Sequence, residues 1–229
     1  MEVWAAGVTY QRSRAARVEE SAVRDIYDRV YDDPRPELFF KSVPWRVVTD
    51  GEAIAVRGDS QLNVPEAELA VMVNAYAEIV GYLVCNDVSS RSIEGQNPLY
   101  LPQAKLYAGS CALGTMVRPA WELGAGALAI SVSVSRMGSE VWSGTASTGE
   151  MHRPLEELVS WLFREEQYPD GVILSTGTGV VPGLDFTLKA GDCVTVNIES
   201  VGSLMNNVVE GKGSFTWLAS AGRGRTGGV

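Results

Sequence analysis

Apolar residues follow two rhythms along this chain, and each predicts a different backbone. From residue 13 to residue 31, Val18, Ala22, Ile26 and Val30 recur every fourth position with Arg, Glu and Asp between them. That spacing is one face of a helix. Asp33-Pro34-Arg35-Pro36 follows, where two proline rings force extended backbone and stop it. Residues 53–57, 69–74, 79–87, 127–135 and 194–200 are β-branched-rich runs of strand length, separated by Gly, Asn and Pro. A second helix is predicted to start near Pro154. Leu155, Leu158, Val159, Leu162 and Phe163 form its apolar stripe, and Pro169-Asp170-Gly171 lies beyond its end. Without internal repeats or regular β-α-β alternation, the pattern predicts a β-rich α+β fold with two or three helices. The Gly-rich stretch from Ala219, ASAGRGRTGGV, is expected to fray.

At 229 residues the chain can build one sizeable core, and 45% hydrophobic with 21% charged residues is an ordinary globular balance. One catalytic domain over residues 1–218 and a flexible tail over 219–229 are expected. Nineteen basic against 28 acidic residues give a formal charge of −9, a field that disfavours nucleic acid and anionic membranes as partners. An anionic substrate would need a locally positive site, which a bound cation supplies. Cys85, Cys111 and Cys193 are scattered and odd in number, and read as small buried hydrophobes in a reducing cytoplasm. No signal-peptide pattern and no run of membrane-spanning length is present, so a cytoplasmic protein is expected.

Glu66 and Glu68 stand two apart in VPEAELAVMV, at the start of a predicted strand. Residues at that spacing share a face, so their carboxylates converge. Such a pair at a strand edge is commonly just a solvated face. Asp87 ends the apolar run in GYLVCNDVSSR, where an ordinary turn-former would also fit. Three hard carboxylate oxygens suit Mg²⁺, Mn²⁺ or Ca²⁺. A single histidine, His152, cannot build a histidine-rich zinc or copper centre. Lys105, after NPLYLPQA, is either a solvated lysine or an ammonium that stabilises enolate charge beside a metal. The loop LSTGTGVVPG offers backbone N–H groups and Thr hydroxyls to a carboxylate. It lacks the Gly-Lys-Ser/Thr of a nucleotide-binding loop.

Taken together, PELFFK at 36–41, PEAELAV at 65–71, GYLVCNDVSSR at 81–91, LPQAK at 101–105, STGTG at 175–179 and LKAGDCVTVNIESVGSL at 188–204 resemble the fumarylacetoacetate hydrolase superfamily. GVTYQRSR, VYDDPRPELFFK and TASTGEMHRPLEELVSWL resemble its 2-keto-3-deoxy sugar-acid dehydratase branch. The resemblance implies a mixed β-sandwich roll, a homodimer and a Mg²⁺-dependent dehydratase (lyase) acting through a metal-stabilised enolate on a small 2-oxo acid. By similarity Glu66, Glu68 and Asp87 are the metal ligands, Lys105 the active-site lysine and Glu37 the acid/base. Thr178, facing the substrate carboxylate, with Gly177, Lys41 and Arg91, is implied to bind substrate. The same scaffold also carries acylpyruvate hydrolysis, 2-oxo-acid decarboxylation and tautomerisation, and a non-catalytic binding homologue is the reading from another class.

Three positions depart from the family pattern. The branch usually carries a further N-terminal region, whereas this chain starts where the shared domain starts. The usual Glu-Pro-Glu reads Glu66-Ala67-Glu68, which keeps the ligands, and the usual Arg-Asp reads Arg91-Ser92. Hydrolytic members resemble G-x-N-Y-x-x-H-x-x-E near the start of the domain, but here Ser13 and Ala16 stand at the His and Glu positions. A lone serine hydroxyl is no base near neutral pH, so a lyase is expected over a hydrolase. A shift in helix register would let Glu19 or Glu20 supply a replacement carboxylate.

Overall fold

The computed structural model describes residues 1–20, 24–124 and 126–221. In chain order its strands and helices are β1 (Glu2–Gly7), α1 (Gln11–Glu20), α2 (Arg24–Asp32), β2 (Glu37–Ser42), β3 (Ala53–Val56), β4 (Asn63–Val64) and β5 (Ala67–Val73). Then come β6 (Ile79–Asp87), β7 (Ser89–Ser90), α3 (Arg91–Gln96), α4 (Leu101–Lys105), β8 (Cys111–Leu113), β9 (Arg118–Pro119), β10 (Ala129–Arg136) and β11 (Ser139–Ser147). The chain closes with α5 (Leu155–Leu162), β12 (Val172–Ser175), β13 (Asp192–Ile198), β14 (Gly202–Glu210) and α6 (Leu218–Ala221).

Strict alternation builds one sheet, ordered β11-β10-β13-β14-β3. In β10 the residues Ile130, Val132 and Val134 point inward and pair across the ladder with Ile198, Val196 and Val194 of β13. Apolar pairs on one face are the unit that holds such a sheet to its core. Ser131, Ser133, Thr195 and Asn197 take the other face. The larger sheet, β2-β1-β12-β5-β6-β8 with β9 on β6, has central strands covered on both faces. They therefore read as continuous apolar runs rather than alternating ones. Along one face of β5, Ala67 and Leu69 join the core shared with the smaller sheet. Val71 and Val73 lie further along with Leu158, Val159 and Leu162 of α5. The opposite face carries Ala70 beside Leu83, Cys85, Cys111 and Ile173.

The apolar stripe expected after Pro154 is thus the docking face of α5, and 79–87 is β6 with its bounds as expected. Of the helix expected over 13–31, the described residues are helical on both sides, as α1 and α2, and residues 21–23 lie outside the described residues. Strands β1, β2, β11, β12 and β14 lie outside the runs read as strands. Exposed polar residues dilute β11 and β14, and Ala and Gly dilute β1. Of the Gly-rich end, Ala219–Ala221 belong to α6 and residues 222–229 lie outside the described residues. Among the described residues no helix is long and apolar enough to cross a membrane.

Leu158 is fully buried against Val71, Val73, Val172 and Leu174. Leu158→Ala is therefore expected to destabilise the fold by about 2–5 kcal/mol, read as a lower urea midpoint with unchanged slope.

Candidate metal and acid–base site

Register brings the three acidic residues together. β5 and β6 are antiparallel, with Glu68 opposite Cys85 and Ala67 opposite Asn86. Continuing one step sets Glu66 across from Asp87, whose N–H donates to the Glu66 carbonyl at 3.0 Å. The period-two rule then sends Glu66, Glu68 and Asp87 to the same face. Their carboxylate oxygens lie within 4.8 Å of one another, and all three residues are buried.

Three buried carboxylates this close cannot all ionise without compensation. Lys105, the last residue of α4, donates from Nζ to Glu66 Oε2 at 2.7 Å, Asp87 Oδ2 at 3.0 Å and Ser89 Oγ at 2.6 Å. Lys41 pairs with Asp87 Oδ1 and donates to the Lys105 carbonyl at 2.6 Å. Arg91 and Arg17 each reach Glu66 Oε1 at 3.0 Å. Burial works against ionisation of Glu66, but Lys105, Arg17 and Arg91 outweigh it and hold that carboxyl well below its usual range. Burial alone would lower Lys105, yet Asp87, Glu66 and Glu94 hold it above the ordinary lysine value, so it stays cationic. Glu68 fares differently. It accepts from Ser175 Oγ at 2.6 Å and Gly177 N at 2.9 Å. Burial and the charges of Asp87 and Glu66 nonetheless push it up to about 8.

The cavity over this cluster lies at one end of the larger sheet. β1 and β12 are parallel, so the loops after both reach the same end and meet the start of β5 and the end of β6. The end of β1 and the loop after it bring Gly7 and Val8, α1 brings Ser13 and Arg17, and the loop after β12 brings Gly177 and Thr178. β2 starts opposite the end of β1, with Glu37 across from Gly7. A Cβ on Gly7 would stand 1.9 Å from Glu37 Oε2, so glycine is what lets the glutamate lie over the strand. Glu37 is partly exposed and has no hydrogen-bond partner among the described residues. Burial and the charge of Glu94 push it up to about 7, against Arg17 and Lys105. Gly177 has φ +90°, and a Cβ there would stand 2.0 Å from Thr9 Oγ1. Only glycine tolerates that turn, which aims the Gly177 N–H at Glu68.

Of the residues singled out in the sequence, Glu37, Glu66, Glu68, Asp87, Lys105, Gly177 and Thr178 line the cavity together. The Thr178 hydroxyl lies 3.0 Å from the Ala67 carbonyl and 3.1 Å from that of Val180. Lys41 and Arg91 are buried behind the carboxylates, where they orient Asp87 and Glu66 rather than line the cavity. Ser13 lines it, but its hydroxyl caps α1, accepting from Tyr10 N at 3.2 Å and donating to the Tyr10 carbonyl at 2.8 Å. Ser92 clamps a turn through Ser60 Oγ at 2.9 Å. His152 stacks on Tyr31 with ring centroids 4.3 Å apart. The side chains of Glu19 and Glu20 lie outside the described residues. Arg17, Glu94, Ser89 and Ser175 escaped the sequence reading. Arg17 and Glu94 are 77 positions apart, and only the fold makes them a pair.

The donor set fits a hard divalent cation: three buried carboxylates with converging oxygens, of which Glu68 is raised by burial and by the charges of Asp87 and Glu66. Residues 2–209 match the family model of the fumarylacetoacetate (FAA) hydrolase C-terminal domain, and the chain belongs to that family. It is 49% identical over 208 residues to a probable 2-keto-3-deoxyxylonate dehydratase of Haloferax volcanii, covering 90% of this chain and 72% of that protein. It is 43% identical over 212 residues to the 2-dehydro-3-deoxy-D-arabinonate dehydratase of Saccharolobus solfataricus, covering 90% and 71%. A solved 2-keto-3-deoxy-D-arabinonate dehydratase complexed with magnesium and 2,5-dioxopentanoate superposes with a TM-score of 0.84 at 41% identity, over 92% of this chain and 73% of that one.

Without a cation, Glu68 keeps its proton up to about pH 8, so an ion binding there must displace it. Divalent-cation affinity is expected to fall about tenfold per pH unit below that point, with close to one proton released per ion in calorimetry across buffers. The folded state binds a proton that the unfolded state has released. The cation-free protein should therefore lose stability as pH rises from the usual carboxylate range through about 8. A cation affinity that is flat over that range would contradict both.

Proposed function

We propose that this protein is a Mg²⁺-dependent hydro-lyase that dehydrates a 2-keto-3-deoxy sugar acid. One observation carries the reading: the buried Glu66–Glu68–Asp87 cluster faces Lys105 and Glu37, the latter unpartnered among the described residues, across one cavity, in a chain closely similar to two dehydratases. Mg²⁺ held by the three carboxylates supplies Lewis acidity toward the carboxylate and 2-oxo oxygen of the substrate.

The chain's own groups account for the proton movements. C3 lies next to the 2-oxo group, so its proton is the acidic one. Glu37, raised to about 7, has the affinity of a base that can take that proton and give it back near neutral pH. Lys105 keeps its positive charge beside the developing enolate oxygen, where a fixed cation lowers the barrier without reorganising. Loss of the C4 hydroxyl as water then needs a proton, and Glu37 carries one after the first step. Thr178 and Gly177 shape the wall against which the substrate carboxylate rests. Ser13, its hydroxyl engaged in capping α1, provides no base for water, which favours a lyase over C–C hydrolysis.

Residues 1–218 acting as one catalytic unit, a homodimer and a cytoplasmic setting complete the reading. Exposed Met116, Val117 and Trp121 lie close together in the chain and support an interface. The buried thiols of Cys85 and Cys111 suit a reducing compartment. Light scattering should report twice the 24.6 kDa chain mass, and a monomer at micromolar concentration would refute the dimer.

The deciding assay incubates the Mg²⁺-loaded protein with a panel of 2-keto-3-deoxy acids, acylpyruvates and oxaloacetate, with products identified by mass. Dehydration of the sugar acid is expected to dominate, and dominant C–C cleavage would overturn the reading. Glu37→Gln should lower kcat by about 10²–10⁴-fold while leaving Mg²⁺ affinity nearly unchanged. Glu66→Gln should instead weaken Mg²⁺ binding itself, because a hard ion loses an anionic ligand.

A further inference from the structure

Five carboxylates line the cavity: Glu37, Glu66, Glu68, Asp87 and Glu94. Four cationic side chains meet them, Arg17 and Lys105 from the wall and Lys41 and Arg91 from behind. Lys41 pairs with Asp87, Lys105 with Glu66 and Asp87, Arg91 with Glu66, and Arg17 with Glu66 and Glu94. With all five ionised, as when a cation is bound, the described residues of this ensemble carry one negative charge in excess. A divalent cation and one carboxylate from a 2-oxo acid bring it to neutrality. A second substrate carboxylate would restore the excess in a buried space, where uncompensated charge is costly. Among the described residues, every cation of the wall already has a carboxylate of its own.

Glu94 sits in the first turn of α3 and is 3% exposed. Its Oε2 takes Arg17, while its Oε1 has no hydrogen-bond partner among the described residues. The wall thus offers a carboxylate acceptor, paired with Arg17 through one oxygen and open at the other. Hydroxyl groups donate to such an oxygen, whereas a second carboxylate is repelled by it. We propose that Glu94, held in place by Arg17, determines specificity: it accepts hydrogen bonds from the hydroxylated tail of the substrate and excludes 2-oxo acids that carry a second carboxylate. The inference rests on the dehydratase reading for the identity of that tail, but its charge rule is testable without turnover.

Calorimetric titration of the Mg²⁺-loaded protein with 2-oxobutyrate, which has one carboxylate, and 2-oxoglutarate, which has two, reads the rule directly. The wild type is expected to prefer the monoanion by about tenfold or more, and Glu94→Gln to narrow that ratio to about threefold. In the dehydration assay the same variant should raise KM for the sugar acid more than it lowers kcat. Equal binding of the two acids by the wild type overturns the proposal without any variant. An unchanged ratio in a folded Glu94→Gln protein overturns it as well. If dehydration fails while the ratio and its dependence on Glu94 hold, the functional reading falls and the charge rule stands. If dehydration proceeds without discrimination, the rule falls alone.

Discussion

The site depends on keeping three carboxylates within 4.8 Å of one another in a buried environment, an arrangement that is strongly unfavourable unless each charge is matched. The match is uneven, and the unevenness has consequences. Glu66 faces Lys105, Arg17 and Arg91, and Asp87 faces Lys41 and Lys105. Among the described residues Glu68 receives only a hydroxyl and a backbone N–H. The cluster is therefore short of positive charge at one corner, which a divalent ion would fill.

The fold brings strand ends to that corner. Parallel pairing of β1 with β12 places the loops after both strands at one end of the larger sheet. Antiparallel pairing of β5 with β6 brings the start of one to the end of the other. The smaller sheet and α5 cover the body of the larger one, making the central strands rigid enough to fix the carboxylates. Glycine permits the two closest approaches. Gly7 leaves room for Glu37, and Gly177 turns its N–H toward Glu68.

The cations divide into two layers with different tasks. Lys41 and Arg91 are buried behind the acids and fix their orientation. Lys105 and Arg17 sit in the wall, where their charge reaches the cavity. Glu37 and Glu94 complete the wall and influence each other through space, since the charge of Glu94 helps to hold Glu37 near 7. An acid/base and a charge filter would thus share one electrostatic environment.

The sequence alone determined what depends on local period and on residue type. The stripe on α5, the strand ending at Asp87, the shared face of Glu66 and Glu68 and the hard-oxygen character of the donors all follow from spacing over fewer than ten residues. Lys105, Glu37 and the Gly177–Thr178 loop were legible because their motifs recur together in one order. What sequence could not supply was partnership across long separations. The pairing of Arg17 with Glu94 and Glu66, the retreat of Lys41 and Arg91 behind the acids, and the use of Ser13 as a helix cap each depend on which ends the sheets bring together. The dilute strands β11 and β14 have a related cause. Tertiary packing, not intrinsic period, holds those segments. Period fixes the face to which a side chain points, but register and loop closure fix what it meets there, and at a site made of buried charges the partner decides the chemistry.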